Sequence, residues 1–64
     1  MDGRSADPVT TICYGERDEW DDRWKAIDFY KEAAMGSEGS ERERYDTILI
    51  KLLAGEKECS DGIG

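Results

Sequence analysis

Histidine is missing from this sequence altogether. Its absence removes the usual general base, the Ser-His and Cys-His nucleophile pairs and the commonest metal ligand. Cysteine is scarce: Cys13 and Cys59 are the two present. They lack C-x-x-C spacing, and two sulfurs fall short of the four Cys or His ligands of a structural zinc site. A basic excess is also missing. Sixteen Asp and Glu outnumber nine Lys and Arg, for a net charge of −7. Nucleic-acid and anionic-membrane binding need the opposite sign, so both are disfavoured, and basic protein partners or plain solubility are favoured. No apolar run approaches the ~20 residues of a membrane span. The opening MDGRSADP has no signal-peptide core, which gives the expectation of a cytoplasmic protein whose cysteines are thiols. Gly36 and Gly39 flank a turn and do not follow a strand, so no phosphate-cradling loop is read. With 64 residues there is little room for a substrate pocket. No cofactor and no metal are expected.

What is present is a clear alternation of local signals. Residues 1–8 read as a disordered lead-in, 9–61 as one small α+β domain, and 62–64 as a frayed tail. VTTICY at 9–14 is β-branched and aromatic, and reads as a strand with Val9, Thr11 and Cys13 on one face. RDEW at 17–20 reads as a short return strand about a turn at Gly15 and Glu16. Asp21 or Asp22 caps a first helix that runs to about Met35 and stops at Gly36. Trp20, Trp24, Ile27, Tyr30 and Ala34 line one stripe of it, assigned to the core. Ala26, Phe29 and Ala33 line a second. Together they span about twice the arc that one buried face requires. A second helix from Ser40 to Ala54 presents Tyr45, Ile48, Leu49, Leu52 and Leu53 as its core face, with Ile50 off that face. KECS at 57–60 reads as a short last strand. The fold class expected is α+β: an N-terminal strand or short hairpin, an antiparallel two-helix hairpin and a short C-terminal strand.

Four groups of residues carry functional expectations. Ala26, Phe29, Ala33 and Ile50 form a candidate interface, read as that of a homodimer. Glu16, Asp18, Glu19, Asp21 and Asp22 form a dense acidic patch. It lacks the alternating acids, central glycine and distal glutamate of a calcium loop, so helix-dipole complementation is its simplest reading. Nucleic-acid mimicry or a basic protein contact is the sharper one. Cys13 and Cys59 become a candidate thiol pair if the first and last strands pair; otherwise Cys13 is a small buried hydrophobe and Cys59 an exposed thiol. In SEGSERER at 37–44, Ser40 and Glu43 have the capping-box spacing, and Arg42 can pair with Asp46. The same S-x-x-E spacing suits acid-directed kinases, which makes Ser37 and Ser40 modification candidates. Capping leaves Ser37, Glu38, Glu41 and Arg44 unexplained.

TTICYG at 10–15, the Trp20-x-x-Arg23-x-x-Ala26-x-x-Phe29-Tyr30 spacing, SEGSERERY at 37–45 and the closing Cys59-Ser60-Asp61 resemble a family of small proteins carried on Gram-positive conjugative and integrative elements. The resemblance implies an accessory or cargo protein of a mobile element and supplies no catalytic residue. The leading expectation is a non-enzymatic, acidic protein–protein interaction or regulatory module. An acidic inhibitor that mimics nucleic acid comes second and a thiol redox protein third.

Overall fold

The β-branched run at the start of the domain forms the strand its composition favours. In the computed structural model, which describes residues 7–62, β1 is Val9–Cys13. It is followed by β2 (Glu16–Trp20), α1 (Arg23–Met35), α2 (Gly39–Leu53) and β3 (Glu58–Ser60). This is an α+β fold with the expected order of elements. The lead-in at 1–6 and the end of the tail at 63–64 lie outside the described residues. No helix among the described residues is long and apolar enough to cross a membrane.

The three strands form one sheet in the order β2-β1-β3. β1 and β2 are antiparallel with Cys13 opposite Glu16, so the hairpin turns at Tyr14 and Gly15, one residue earlier than the spacing suggests. Both turn residues have positive φ, 55° and 77°. That is the signature of a type I′ turn, whose twist matches that of the strands it joins. Tyrosine pays a steric cost in this region, and three contacts hold it there. Its amide donates to Asp61 at 3.0 Å, its hydroxyl donates to Glu41, and the Arg44 guanidinium lies 4.1 Å over its ring. β3 runs parallel to β1 with Cys59 opposite Thr11.

The helices cover one face of this sheet. Val9, Ala26, Ile27, Tyr30, Ile48, Leu52 and Cys59 form the core between them. Asp22 caps α1 as expected, its side chain accepting from the Trp24 amide. α2 departs from the expected start. Its N-cap is Glu38, which makes no side-chain capping bond, and the helix begins at Gly39 with φ 66°. Ser40 thus lies inside the helix and cannot take the extended N-cap conformation that the capping box requires. The Arg42–Asp46 pair is present at 3.9 Å and exposed.

Two helix faces are rotated from the sequence reading. Trp24, assigned to the core, is 61% exposed, while Ala26, assigned to the interface, is fully buried. The cause is Arg23, whose buried side chain turns α1 inward at its first turn. Its guanidinium donates to the carbonyls of Leu52 and Glu56 at 2.6 and 2.9 Å and to the Asp7 carboxylate at 2.6 Å. It thereby adds a charged donor to the Leu52 carbonyl, which also accepts from the Gly55 amide at 3.2 Å, and bonds the Glu56 carbonyl just beyond α2. Asp7, placed by its sequence in the disordered lead-in, is one anchor of this arrangement. On α2, Leu53 is exposed and not in the core face; Ile48 and Leu52 are fully buried and Tyr45 and Leu49 half-buried.

Candidate functional site

Two clusters of side chains stand out, one closed and one open. The closed cluster joins the hairpin turn, α2 and the segment after β3. Arg44 donates to the Asp61 carboxylate, which also accepts from the Tyr14 amide. The Asp61 carboxyl is held below its ordinary range, first by the Tyr14 amide and then by Arg44. Glu41 holds the Tyr14 phenol above its ordinary value by accepting its hydrogen bond. An open hollow of about 380 Å³ adjoins this cluster, lined by Ser40, Glu43, Arg44, Thr47, Asp61 and Gly62. Its one cation, Arg44, is already matched to Asp61, and Glu43 leaves the lining net negative, so it does not favour an anion. Glu41 and Arg44, unexplained by capping, are therefore struts that tie the end of the domain to the turn. Asp61 is thus tied both to the hairpin turn and to α2.

The open cluster lies between β2 and α1. By the pleat, Glu16, Asp18 and Trp20 project from the helix side of the sheet, together with Val9, Thr11 and Cys13. The helices stop short of this edge, so Glu16 and Asp18 remain exposed there. Four aromatic rings run beside them. Trp20 lies 5.4 Å from Phe29, Phe29 meets Tyr30 edge-on at 5.0 Å, and Tyr30 lies 6.0 Å from Tyr45. The inner end of this row is satisfied. The Trp20 indole donates to the Thr11 hydroxyl at 2.9 Å, and that hydroxyl shares a second hydrogen bond of 2.9 Å with the Tyr30 phenol. Burial raises the Tyr30 phenol above its ordinary value, and the Asp18 carboxylate adds to the rise. The outer end is not covered: Phe29 is 52% exposed, and Ala33, one turn further along α1, is half-buried.

The sequence-derived groups therefore divide. Of the candidate interface, Phe29 and Ala33 share one exposed flank, Ala26 lies in the core, and Ile50 sits on the outer side of α2, some 200° round from Ile48. The acidic patch divides as well. Asp22 caps α1, Asp21 pairs with Lys25 at 3.3 Å, and Glu16, Asp18 and Glu19 lie on an edge strand. The first turn of α1 carries no acid, so dipole complementation does not account for those three. β1 and β3 do pair, with Cys59 opposite Thr11 and Cys13 two residues further along, but both cysteines are free thiols. Cys59, expected to be exposed, is fully buried because β3 packs under α2, and Cys13 is half-buried. Burial raises both thiols, and the Asp61 charge raises Cys13 further. Sequence reasoning missed the union of Asp18 with Trp20 and Phe29. Its signal was the alternation of ERDEW, which puts Asp18 and Trp20 on one face once RDEW is read as a strand.

Among the described residues no group of three acidic or cysteine side chains is placed to hold a metal ion. The chain matches no family model, and comparison with curated proteins and with solved structures finds no match.

Proposed function

We propose that this protein is a non-enzymatic protein-interaction module of the cytoplasm, and that its contact face is the ledge formed by Trp20, Phe29 and Ala33 beside β2. The observation that carries this reading is Phe29. A phenylalanine packed against two other rings yet half open to solvent is the kind of rigid, large apolar surface that anchors protein contacts. The acids beside it suit a partner of opposite charge. An accessory role on a mobile element, as the resemblance implies, fits a module of this kind.

Thiol chemistry is less well supported, because both thiols are held in the protonated, weakly nucleophilic form. Nucleic-acid mimicry is less well supported too. Strand alternation sends Glu16 and Asp18 to one side of the sheet and Glu19 to the other, so no single row of carboxylates forms. The test is site-specific photo-crosslinking in the native host. A photoreactive residue replacing Phe29 should yield one discrete protein adduct, and the same residue replacing exposed Glu32 should not. Equal labelling from both positions, or none from position 29, sinks the reading.

A further inference from the structure

The free edge of β2 lies against the ledge, and its backbone geometry specifies what it can take. In a hairpin closed by a two-residue turn, Cys13 and Glu16 are a hydrogen-bonded pair, as are Thr11 and Asp18. The alternate residues of β1 then point their backbone groups the other way. They do so: the Thr10 amide donates to Lys57 and the Ile12 carbonyl accepts from Asp61, both on the β3 side. By the same alternation, the N–H and C=O groups of Arg17 and Glu19 point outward from the far side of β2, where no strand follows among the described residues. The edge is five residues long and antiparallel in its existing pairing. It thus presents two donors and two acceptors to an incoming chain.

The side chains around this edge select that chain. A second copy pairing antiparallel through β2, centred on its middle residue, would set Asp18 against Asp18 beneath the exposed rings. The two Arg17–Glu19 pairings of that register lie on the opposite face, where Arg17 is already matched to Glu58, and each copy carries −7. Like charges directly opposite one another destabilise a strand pair. An extended segment with basic residues on alternate positions reverses that sign. Arg17 does not repel it strongly, because its guanidinium is already paired with Glu58 at 3.2 Å. We infer that β2 is a docking edge for an extended basic segment of a partner protein. The segment adds as a fourth strand, sets Lys or Arg side chains against Glu16 and Asp18, and rests an apolar side chain on Trp20 and Phe29. This inference rests on the reading of the ledge as a contact face, and it adds the partner's conformation and charge.

The test uses the full chain, labelled for amide NMR, and a ten-residue peptide whose alternate positions carry leucine and then lysines, with threonines between, so that one face offers an apolar side chain to Trp20 and cations to Asp18 and Glu16. The expected result is shifts concentrated at the amides of Arg17, Glu19 and Phe29, with affinity that falls as salt is raised. A peptide of the same charge, N-methylated at alternate backbone amides, should bind about tenfold more weakly, since it loses the edge hydrogen bonds. Asp18→Asn should weaken the unmodified peptide several-fold without altering the thermal melt. Three outcomes overturn the inference: equal binding of the N-methylated peptide, shifts spread evenly over distant acids such as Glu32 and Asp46, or self-association through β2 seen by light scattering. Crosslinks at position 29 to a partner that leaves the Arg17 and Glu19 amides unmoved would also overturn it, while leaving the ledge as the contact face.

Discussion

The two edges of this small sheet are finished in opposite ways. β3 is three residues long and is packed against α2. The Lys51 ammonium donates to the Ser60 carbonyl at 3.2 Å, and just beyond β3 the Arg44 and Tyr14 bonds secure Asp61. β2 is longer, carries four charged residues in a row and ends in an aromatic ledge that no element among the described residues covers. Both finishes avoid a sticky strand, one by covering the edge and the other by charging it. Covering an edge closes it to any partner. Charging it closes it to like-charged chains alone.

If that contrast is right, substitutions under the covered side should unfold the protein, and those on the open side should leave the fold largely intact. Leu52→Ala should cost about 2–5 kcal/mol. In a domain this small that is enough to leave much of it unfolded in a thermal melt. Phe29→Ala should cost about 1 kcal/mol, because half the ring is already in water. Comparable losses at the two positions would break the comparison.

Arg23→Ala should come next, at about 2 kcal/mol, since it strips a donor from the Leu52 carbonyl in α2 and from the Glu56 carbonyl just beyond it. Arg23→Lys should recover part of this, because one ammonium reaches fewer acceptors than a guanidinium. Denaturant midpoints measure both.

Acid should loosen the covered edge before the open one. Asp61 is lowered by the Tyr14 amide and by Arg44, and Asp7 by Arg23. A carboxyl whose folded value lies below its unfolded value contributes stability that is complete above about pH 4 and lost as pH falls through the lowered value. Protection of the Asp61 amide, taken relative to its intrinsic exchange rate, should therefore fall as pH drops below about 4. Asp61→Asn should remove part of that dependence.

The smallest effect on stability should come from the charges of β2. Asp18→Val should shift the monomer's stability by no more than about 0.5 kcal/mol. It should also cause concentration-dependent association in light scattering, because the like-charge clash at the strand centre is gone. A variant that stays monomeric at high concentration would mean that something other than charge protects this edge.

Much of the fold was legible locally. The β-branched run, the Asp22 cap, the glycines that bound the helices and the period of Ile48 and Leu52 are short-range signals, and each lies close to where it was expected. The misreadings share a cause, which is that helix rotation is decided by a distant partner. Trp24 and Ala26 exchanged roles because Arg23 is drawn inward to Leu52 and Glu56, some thirty residues away. The candidate site was half legible. Phe29 and Ala33 share a helix flank by spacing, but nothing in the spacing says that Asp18 and Trp20 lie beside them.

The sequence by itself determined the elements, their order and the acidic charge, because each follows from neighbours within a few residues. Tertiary structure decided which edge of the sheet is covered, which aromatic face is left open and which acids are spent on capping and pairing. Those outcomes depend on where α2 comes to rest on β3, and its fit to that strand, as well as its lack of reach to β2, is settled by packing between residues far apart in the chain.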